Sequence, residues 1–238
     1  MLDAHDGRAA AESSNPLARL YPDLPEYTIT PSRTALIVVD MQYVDAHPDW
    51  GLGARANALG LGHHLAPYFE RVRQITARIQ ELRDALSQAG GHVIFLALGS
   101  AREDRRDACR RHYALGMTPA AGTHEAELLD ELRPGANEIL LRKTSSSPFN
   151  STNIDHVLHN LGVDTLLVTG VLTNGCVEGT VRDAADRDFD VILVEDACAA
   201  LTDELHQAAL RNLGRTFANV RSTARVLAEL APAPTAAR

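Results

Sequence analysis

The chain has 238 residues, 45% of them hydrophobic, which is enough to bury one sizeable core. Its formal net charge is −8 and its basic residues are scattered, so it lacks the positive face that nucleic-acid binding requires. No stretch approaches the roughly 18 consecutive apolar residues of a membrane span, so we expect neither a nucleic-acid nor a membrane partner.

Apolar strand-like runs alternate with helix-like segments along the chain. The runs at residues 36–39 and 165–168 are apolar throughout or nearly so, which is typical of strands buried on both faces. Strands are predicted at residues 34–40, 92–98, 138–142, 164–169, 190–194 and 217–221, and helices at 67–89, 124–132, 152–161, 175–187, 203–214 and 222–230. This alternation predicts an α/β fold, a single-domain doubly wound (Rossmann-like) parallel sheet of about six strands with helices on both faces.

The two ends of the chain differ in composition from its centre. Residues 1–30 are polar and contain three prolines, with a fourth at position 31, which predicts an extended N-terminal arm that packs on a neighbouring subunit. Residues 31–230 form the predicted domain, and residues 231–238, with two prolines, form a predicted disordered tail. The first eleven residues include three charges and no apolar stretch, so we expect no signal peptide.

Three cysteines, Cys109, Cys176 and Cys198, show neither paired nor metal-like spacing. A reducing, cytoplasmic location fits this pattern best. Cys198 lies among small residues that indicate tight packing, and we expect both it and Cys109 to be dispensable for any chemistry.

Four glycines, at positions 51, 53, 60 and 62, follow the first predicted strand. They do not form a phosphate-binding loop, because neither a GK[ST] sequence nor a strand–GxGxxG–helix arrangement accompanies them. Two interpretations remain open, a mobile segment over the mouth of an active site and an ordinary loop.

Three reactive side chains each come at the end of a predicted strand. Asp40 ends the first strand, Lys143 follows residues 138–142, and Cys176 follows residues 164–169. The carboxyl ends of parallel strands meet at one edge of a sheet, where ligands bind, so these side chains are expected to face one crevice. Taken singly, Asp40 could be a helix cap, Lys143 a solvated surface charge and Cys176 a small buried hydrophobe. Recurrence at three strand ends favours a functional set.

The surroundings of Cys176 favour a reactive thiol. A helix is predicted to begin at or near Gly175, which would place Cys176 in the first helical turn. Unpaired backbone N–H groups and the positive end of the helix dipole favour an anion there, so we expect the pKa of the thiol to be lowered.

Three ordered motifs carry a family resemblance: A-L-I-V-V-D-M-Q at residues 35–42, R-K-T-S-S-S-P-F-N-S-T at 142–152, and T-G-V-L-T-N-G-C-V-E-G-T-V-R-D-A at 169–184. With V-E-D-A-C-A-A at 194–200, they resemble the isochorismatase-like cysteine hydrolases over about residues 34–227, in the branch that hydrolyses small amides. The resemblance implies a triad of Asp40, Lys143 and Cys176, and a non-proline cis peptide near Val171–Leu172.

The triad would work as an acyl-transfer site. Cys176 would attack the amide carbonyl, Asp40 would act as general base, and Lys143 would stabilise the thiolate. The backbone N–H groups of Leu172 and Cys176 are the expected oxyanion donors. Six residues flank the motifs and are candidate substrate contacts, a purely structural role being an equal alternative for each: Gln42, Tyr43, Phe149, Asn150, Thr173 and Asn174.

We expect no metal and no other cofactor. The nicotinamidase branch of the family carries a metal cluster after its second strand, but residues 100–112 lack its spacing. Asp45 and His47 resemble a fragment of that cluster but follow the first strand. His156 and His159 could share a helix face, yet they bring no third ligand, and a solvated face is the stronger interpretation.

The polar Ser/Asn-rich segment after Lys143 is similar to that of family members acting on ureido compounds such as biuret, triuret or ureidoacrylate. The resemblance therefore implies a metal-free cysteine amidohydrolase, active as a homo-oligomer (dimer or tetramer). Two alternatives remain: another small-amide hydrolase, acting on N-carbamoyl amino acids or like a nicotinamidase, and a non-catalytic relative. The sequence does not identify the substrate.

Overall fold

The computed structural model describes residue 20 and residues 22–231. Six parallel strands form one sheet in the order β3-β2-β1-β4-β5-β6. The strands are β1 Thr34–Val39, β2 His92–Leu98, β3 Ile139–Lys143, β4 Thr165–Val171, β5 Asp190–Ala199 and β6 Asn219–Arg221. This order confirms the predicted doubly wound sheet. From β1 the chain first adds strands on one side, β2 and β3, and then on the other side, β4 to β6, so the direction of strand addition changes at β1.

Eight α-helices lie within the described ranges. They are α1 Tyr43–Ala46, α2 Gly51–Ala58, α3 Gly62–Gln88, α4 Arg110–Leu115, α5 Ile154–Asn160, α6 Glu178–Ala185, α7 Asp203–Leu213 and α8 Thr223–Leu230. Short 3₁₀ turns at Pro31–Arg33, His124–Ala126, Asp130–Leu132 and Pro148–Asn150 link them to the strands. Among the described residues, no helix combines the length and the apolar composition that a membrane crossing requires.

Two apolar layers hold the helices against the sheet. Leu36 and Val38 of β1 point into the layer covered by α3 and α8, whereas Ala35, Ile37 and Val39 point into the layer covered by α5, α6 and α7. Every residue of β1 is buried, since the strand is covered on both faces. The sheet edge beyond Val39 is therefore positioned rigidly.

The interpretation of residues 51–62 as an ordinary loop is wrong for most of the segment, because Gly51–Ala58 is the helix α2. Its glycines permit close packing: a Cβ at Gly51 would lie 2.1 Å from Val44 O, and one at Gly53 would lie 2.1 Å from Pro48 O. The Gly51 N–H also donates to Glu125 Oε1 at 3.2 Å. The segment is thus a packed helix rather than an ordinary loop, and its mobility over the mouth of the active site stays a prediction.

Other element boundaries also differ from expectation. Helix α3 begins at Gly62, with Pro67 inside it, rather than at residue 67. Residues 124–132 contain two 3₁₀ turns in place of one helix. Strand β5 continues to Ala199, so Cys198 lies within a strand and not after it.

Only part of the predicted N-terminal arm is described. Residues 22–30 are extended and contact β6 and α8 of the same chain: the Tyr27 N–H donates to Asn219 Oδ1 at 2.8 Å, and Glu26 pairs with Arg221 and Arg225 at 3.1 and 2.7 Å. The predictions for residues 1–19, residue 21 and the tail 232–238 lie outside the described residues.

Candidate active site

Asp40 follows β1 and carries the carboxylate of the site. Its φ is +50°, a left-handed conformation that ends the strand and turns the chain sharply. The side chain is buried, and its Oδ1 accepts from the Leu98 N–H at 3.1 Å while Oδ2 accepts from Lys143 Nζ at 2.8 Å. The helix-cap alternative for Asp40 is therefore wrong, since its oxygens bind the ends of β2 and β3.

Lys143 is the last residue of β3 and is fully buried. Besides Asp40, its Nζ donates to Ser145 O at 3.1 Å. Burial alone would lower the pKa of Lys143, but Asp40 and then Cys176 raise it above its ordinary value, so the amine is a cation. The surface-charge alternative for Lys143 is therefore wrong.

Cys176 lies beside both of these groups. It sits in the kinked turn Thr173–Val177, in which Asn174 and Gly175 have non-helical angles; from Cys176 onward the backbone is helical and leads into α6 at Glu178. Its Sγ interacts with the Asp40 carboxylate and with the Lys143 ammonium. Strands β1, β3 and β4 thus bring the three predicted side chains together.

The expected acidity of Cys176 is wrong. Burial first, and the Asp40 carboxylate second, raise the pKa of the thiol to about 12, although Lys143 opposes them. Cys176 does lie at the start of the helical backbone, as predicted, but burial of the thiol and the anion next to it outweigh the effect of the helix end. At rest the sulfur is therefore a neutral thiol beside a carboxylate that can take its proton.

The backbone next to Cys176 has the predicted special geometry. The Val171–Leu172 peptide is cis, as the resemblance implied. Gly170, one residue earlier, has a φ of +106°, and a Cβ there would lie 2.1 Å from Val39 O, so only glycine fits beside β1. Leu172 O accepts from the Gly175 N–H at 2.9 Å, which closes the turn that carries Cys176. The roles of Leu172 and Cys176 as oxyanion donors stay predictions.

Gln42 and Tyr43 are held by the protein itself. Gln42 is fully buried; its Nε2 donates to Leu98 O and Ala126 O, both at 2.9 Å, and its Oε1 accepts from the Leu98 N–H at 2.7 Å. This arrangement supports the structural alternative for Gln42. Tyr43 stacks on His124 with ring centroids 3.9 Å apart, at the edge of the site.

The remaining four candidate contacts divide into two groups. Phe149 packs in the core against Phe189, and Asn150 donates to Asp183 Oδ2 at 2.7 Å on the surface, so both serve the docking of α6. Thr173 and Asn174 lie in the turn that carries Cys176. Thr173 is buried with its Oγ1 2.8 Å from His206 Nδ1, whereas Asn174 is exposed.

Two groups near the site were not predicted. Asp45, on α1, is half-buried, and burial together with the Asp40 charge raises its pKa to about 7. The sequence offered two signals for Asp45, its place five residues after Asp40 and its resemblance, with His47, to a fragment of a metal cluster. His112, on α4, is buried and is influenced by both Lys143 and Asp40, but it lies in an arginine-rich run that reads as surface. Both enlarge the polar set around the triad.

In the part of the chain that the structure describes, no three His, Cys, Asp or Glu side chains lie close enough together to bind a metal ion. His156 and His159 are both exposed on α5, and His156 Nε2 lies 3.0 Å from Asn160 Nδ2. This supports the solvated-face interpretation of the two histidines. The expectation of a metal-free site remains a prediction.

Comparison with known proteins agrees with the resemblance read from the motifs. The isochorismatase domain family matches residues 34–225. The chain is 31% identical to ureidoacrylate amidohydrolase RutB of Agrobacterium fabrum strain C58, over 86% of this chain and 94% of that protein. A cysteine hydrolase from Pseudomonas syringae pv. phaseolicola has a similar structure, with a TM-score of 0.74, 29% identity and coverage of 88% and 97%. N-carbamoylsarcosine amidase from Thermoplasma acidophilum gives a TM-score of 0.62 at 26% identity, covering 80% and 96%.

Proposed function

This chain belongs to the isochorismatase family, and we propose that it is a metal-free cysteine amidohydrolase cleaving a carbon–nitrogen bond of a small ureido or carbamoyl compound. The observation that carries the proposal is the buried pair of Asp40 and Lys143, joined at 2.8 Å, with the Cys176 thiol beside it. A buried ion pair is costly to desolvate, so its presence next to a thiol at the sheet edge favours a chemical role.

The first half-reaction starts from the neutral thiol. As Cys176 Sγ attacks the carbonyl carbon, its proton passes to Asp40, and the former carbonyl oxygen becomes an oxyanion facing the N–H groups of Leu172 and Cys176. Asp40 then returns the proton to the departing nitrogen, the carbon–nitrogen bond breaks, and a thioester remains on Cys176. Lys143 neutralises the negative charge that is shared between sulfur and carboxylate during these steps.

The second half-reaction regenerates the enzyme. A water molecule gives a proton to Asp40 and attacks the thioester carbon, and the thiolate of Cys176 leaves and takes that proton back. The products are ammonia or an amine from the first step and a carboxylic or carbamic acid from the second. Each step uses only the triad and water.

The proposed substrate class rests on relatives and on the local polarity of the site. The proteins named above as ureidoacrylate amidohydrolase and N-carbamoylsarcosine amidase are 31% and 26% identical to this chain. The segment after Lys143 is polar: the half-buried hydroxyl of Ser145 donates to Ser147 O at 2.8 Å, and that of Ser146, also half-buried, lies 3.1 Å from His112 Nε2. Ureidoacrylate, biuret and triuret are thus the first candidates, with N-carbamoyl amino acids and nicotinamide as the alternative amides.

Ammonia release across this panel tests the proposal. We expect the kcat/KM of at least one ureido compound to exceed that of nicotinamide by up to about 10⁴-fold, because buried amide partners reject analogues that leave them unpaired. A higher kcat/KM for nicotinamide or isochorismate than for every ureido compound would sink the substrate assignment. No turnover of any amide would favour the non-catalytic alternative.

Location and assembly belong to the same proposal. Three free cysteines support a reducing, cytoplasmic compartment, and we propose a homo-oligomer, a dimer or a tetramer. Light scattering after size-exclusion chromatography measures the mass directly. A monomer of 25.7 kDa at micromolar concentration would contradict the oligomer.

A further inference from the structure

One buried hydrogen bond joins helix α7 to the turn that carries Cys176. His206 Nδ1 lies 2.8 Å from Thr173 Oγ1, and the two residues are 3% and 0% exposed. Neither residue belongs to the triad, so the proposed chemical steps give this bond no role. A fully buried polar pair specifies one arrangement of the two elements that it joins, so the bond fixes the turn relative to α7.

The sheet topology brings His206 to the edge at which the triad lies. Val171 and Ala199, the last residues of β4 and β5, are partners across the two strands. The turn that carries Cys176 follows Val171, and α7 begins at Asp203, shortly after Ala199. Turn and helix therefore start side by side at the carboxyl edge of the sheet, and they are in contact. His206 lies in the first turn of α7 and faces the turn that carries the thiol.

The turn itself is irregular, so a regular helix does not set its position. Asn174 and Gly175 have non-helical angles, and the Gly175 N–H donates back to Leu172 O at 2.9 Å. A backbone of this kind has fewer internal hydrogen bonds than a helix of the same length. Side chains of the neighbouring helices are then needed to hold it in place.

Two such side chains hold the turn at its two ends. At the far end, Thr180 Oγ1 of α6 donates to Cys176 O at 2.7 Å. At the near end, His206 of α7 bonds to Thr173. Thr180 belongs to the helix that continues from the turn, whereas His206 comes from a separate element. His206 is therefore the contact that ties the turn to the rest of the domain.

The bond persists at neutral pH. Burial first, and Arg71 second, lower the pKa of His206, while Asp203 opposes them, so the ring is neutral. A neutral imidazole has one donor and one acceptor nitrogen, and a hydroxyl both donates and accepts. Either tautomer of His206 therefore closes the bond to Thr173.

Thr173 stands between the groups whose placement the proposed reaction needs. Leu172, one proposed oxyanion donor, precedes it directly, and Cys176, which supplies the sulfur and the other donor, lies in the same turn. The sulfur in turn lies beside Asp40. A displacement of about 1 Å among reacting groups can lower a rate on the order of a hundredfold. Loosening Thr173 would therefore move the sulfur and both donors together.

We propose that His206 is a positioning residue, which through its hydrogen bond to Thr173 fixes the turn on which the Cys176 sulfur and the two backbone donors lie. Its effect on the rate rests on the proposed amidohydrolase function, whereas its effect on the sulfur does not. The inference also gives the Thr173 hydroxyl a structural role in place of a substrate contact.

Matched variants separate the hydrogen bond from the packing around it. Thr173→Val removes the hydroxyl at almost constant shape, and Thr173→Ser keeps it. His206→Leu removes the ring nitrogens, whereas His206→Asn places an amide near the Nδ1 position. Thr76→Val is the control, because the Thr76 hydroxyl is also buried but bonds within α3, to Val72 O at 2.8 Å. Should His206→Leu fail to fold, the two Thr173 variants carry the test.

Steady-state kinetics use the amide of the panel with the highest kcat/KM, ureidoacrylate being the first candidate. We expect Thr173→Val and His206→Leu each to lower kcat at least about tenfold with the KM within about threefold, because the substrate still binds while the reacting groups are displaced. The double variant should be little slower than either single variant, since all three lack the same bond. Thr173→Ser and His206→Asn should recover most of the loss, and Thr76→Val should match the wild type. A smaller loss of kcat, losses that multiply in the double variant, or no recovery in the conservative variants would overturn the proposal.

Alkylation of Cys176 tests the placement of the sulfur without turnover. In a Cys109→Ala background, mass spectrometry follows the labelling of Cys176 by iodoacetamide. Burial and Asp40 raise the pKa of this thiol to about 12, so a sulfur released from its position should react faster. We expect labelling at least about fivefold faster in Thr173→Val, and a rate close to that of the wild type in Thr173→Ser. If the wild type hydrolyses no amide of the panel, the proposed function fails, and this labelling alone decides the positioning role. A smaller increase, or slower labelling, in Thr173→Val would overturn it.

Discussion

Lys143 Nζ lies 2.8 Å from Asp40 Oδ2 in a pair whose side chains are 0% and 1% exposed, although 103 residues separate them in sequence. Charges so fully removed from water are stable only as partners. The pair therefore links the stability of the domain to the proposed chemistry, because changing either residue leaves the other charge alone in the core.

Removing only Lys143 should destabilise the protein strongly. We expect Lys143→Met to lower the free energy of unfolding by about 3–5 kcal/mol, since it leaves the Asp40 carboxylate buried and unpaired. The double variant Asp40→Asn/Lys143→Met should recover much of that stability while remaining inactive. Urea unfolding measures both, and Arg133→Met is the control, because the Arg133–Asp130 pair is exposed and worth under about 1 kcal/mol. Additive effects of the two single changes would contradict the coupling.

Replacing the nucleophile should separate chemistry from folding. Cys176→Ser should lower kcat at least about a thousandfold, because a serine hydroxyl is a far weaker nucleophile beside a carboxylate base. Its melting temperature and its affinity for substrate should stay close to those of the wild type. Residual activity within about tenfold of wild type would remove Cys176 from its proposed role.

The other two thiols should be dispensable for catalysis. Cys198 is fully buried in β5, with its Sγ 3.8 Å from Val168 O, so Cys198→Ala should cost about 1 kcal/mol of stability through a small void and leave kcat unchanged. Cys109→Ala should change neither. Complete loss of activity in Cys198→Ala at unchanged stability would show that this interpretation of Cys198 is wrong.

The half-buried Asp45 should make stability fall as the pH rises. Its folded pKa is about 7, above the unfolded value of roughly 4, so the folded state holds a proton there that the unfolded state has lost. The stabilisation is complete below about pH 4 and disappears as the pH rises through 7. We expect Asp45→Asn to gain in melting temperature relative to the wild type between pH 5 and pH 8. A constant difference across that range would refute the assignment.

Chelation should leave the activity intact. Dialysis against EDTA is expected to change kcat by less than about twofold, because the proposed steps use only Asp40, Lys143, Cys176 and water. Loss of kcat that added zinc restores would contradict the metal-free prediction and would redirect attention to the histidines near the site.

The sheet and the triad positions were predictable because each depends on a local signal. Continuous apolar runs mark the strands, and the residue after each run is carried to the same edge. Asp40, Lys143 and Cys176 needed no knowledge of helix packing. The parallel, doubly wound sheet followed from the alternation of strands with helices.

What could not be predicted depends on neighbours distant in sequence. The pKa of Cys176 is raised by burial first and then by Asp40, which stands 136 positions earlier, and these effects outweigh the nearby helix on which the sequence-based expectation relied. Helix α2 contains two glycines and little apolar periodicity, so only its packing on Val44 and Pro48 reveals it. His112 lies among arginines, and its burial is visible only once α4 is folded onto the loops beside it.

The central position of β1 has a consequence for the time course of folding. One edge of β1 pairs with β2, but the other pairs with β4, whose first residue is Thr165, partner of Thr34. At typical synthesis rates that partner emerges on the order of ten seconds after β1. Through this interval a fully apolar strand has one open edge, the kind of surface on which nascent chains associate. This protein is therefore most exposed to aggregation before its fourth strand arrives, and the strand that ends this exposure is also the one that leads to Cys176 and brings it to Asp40.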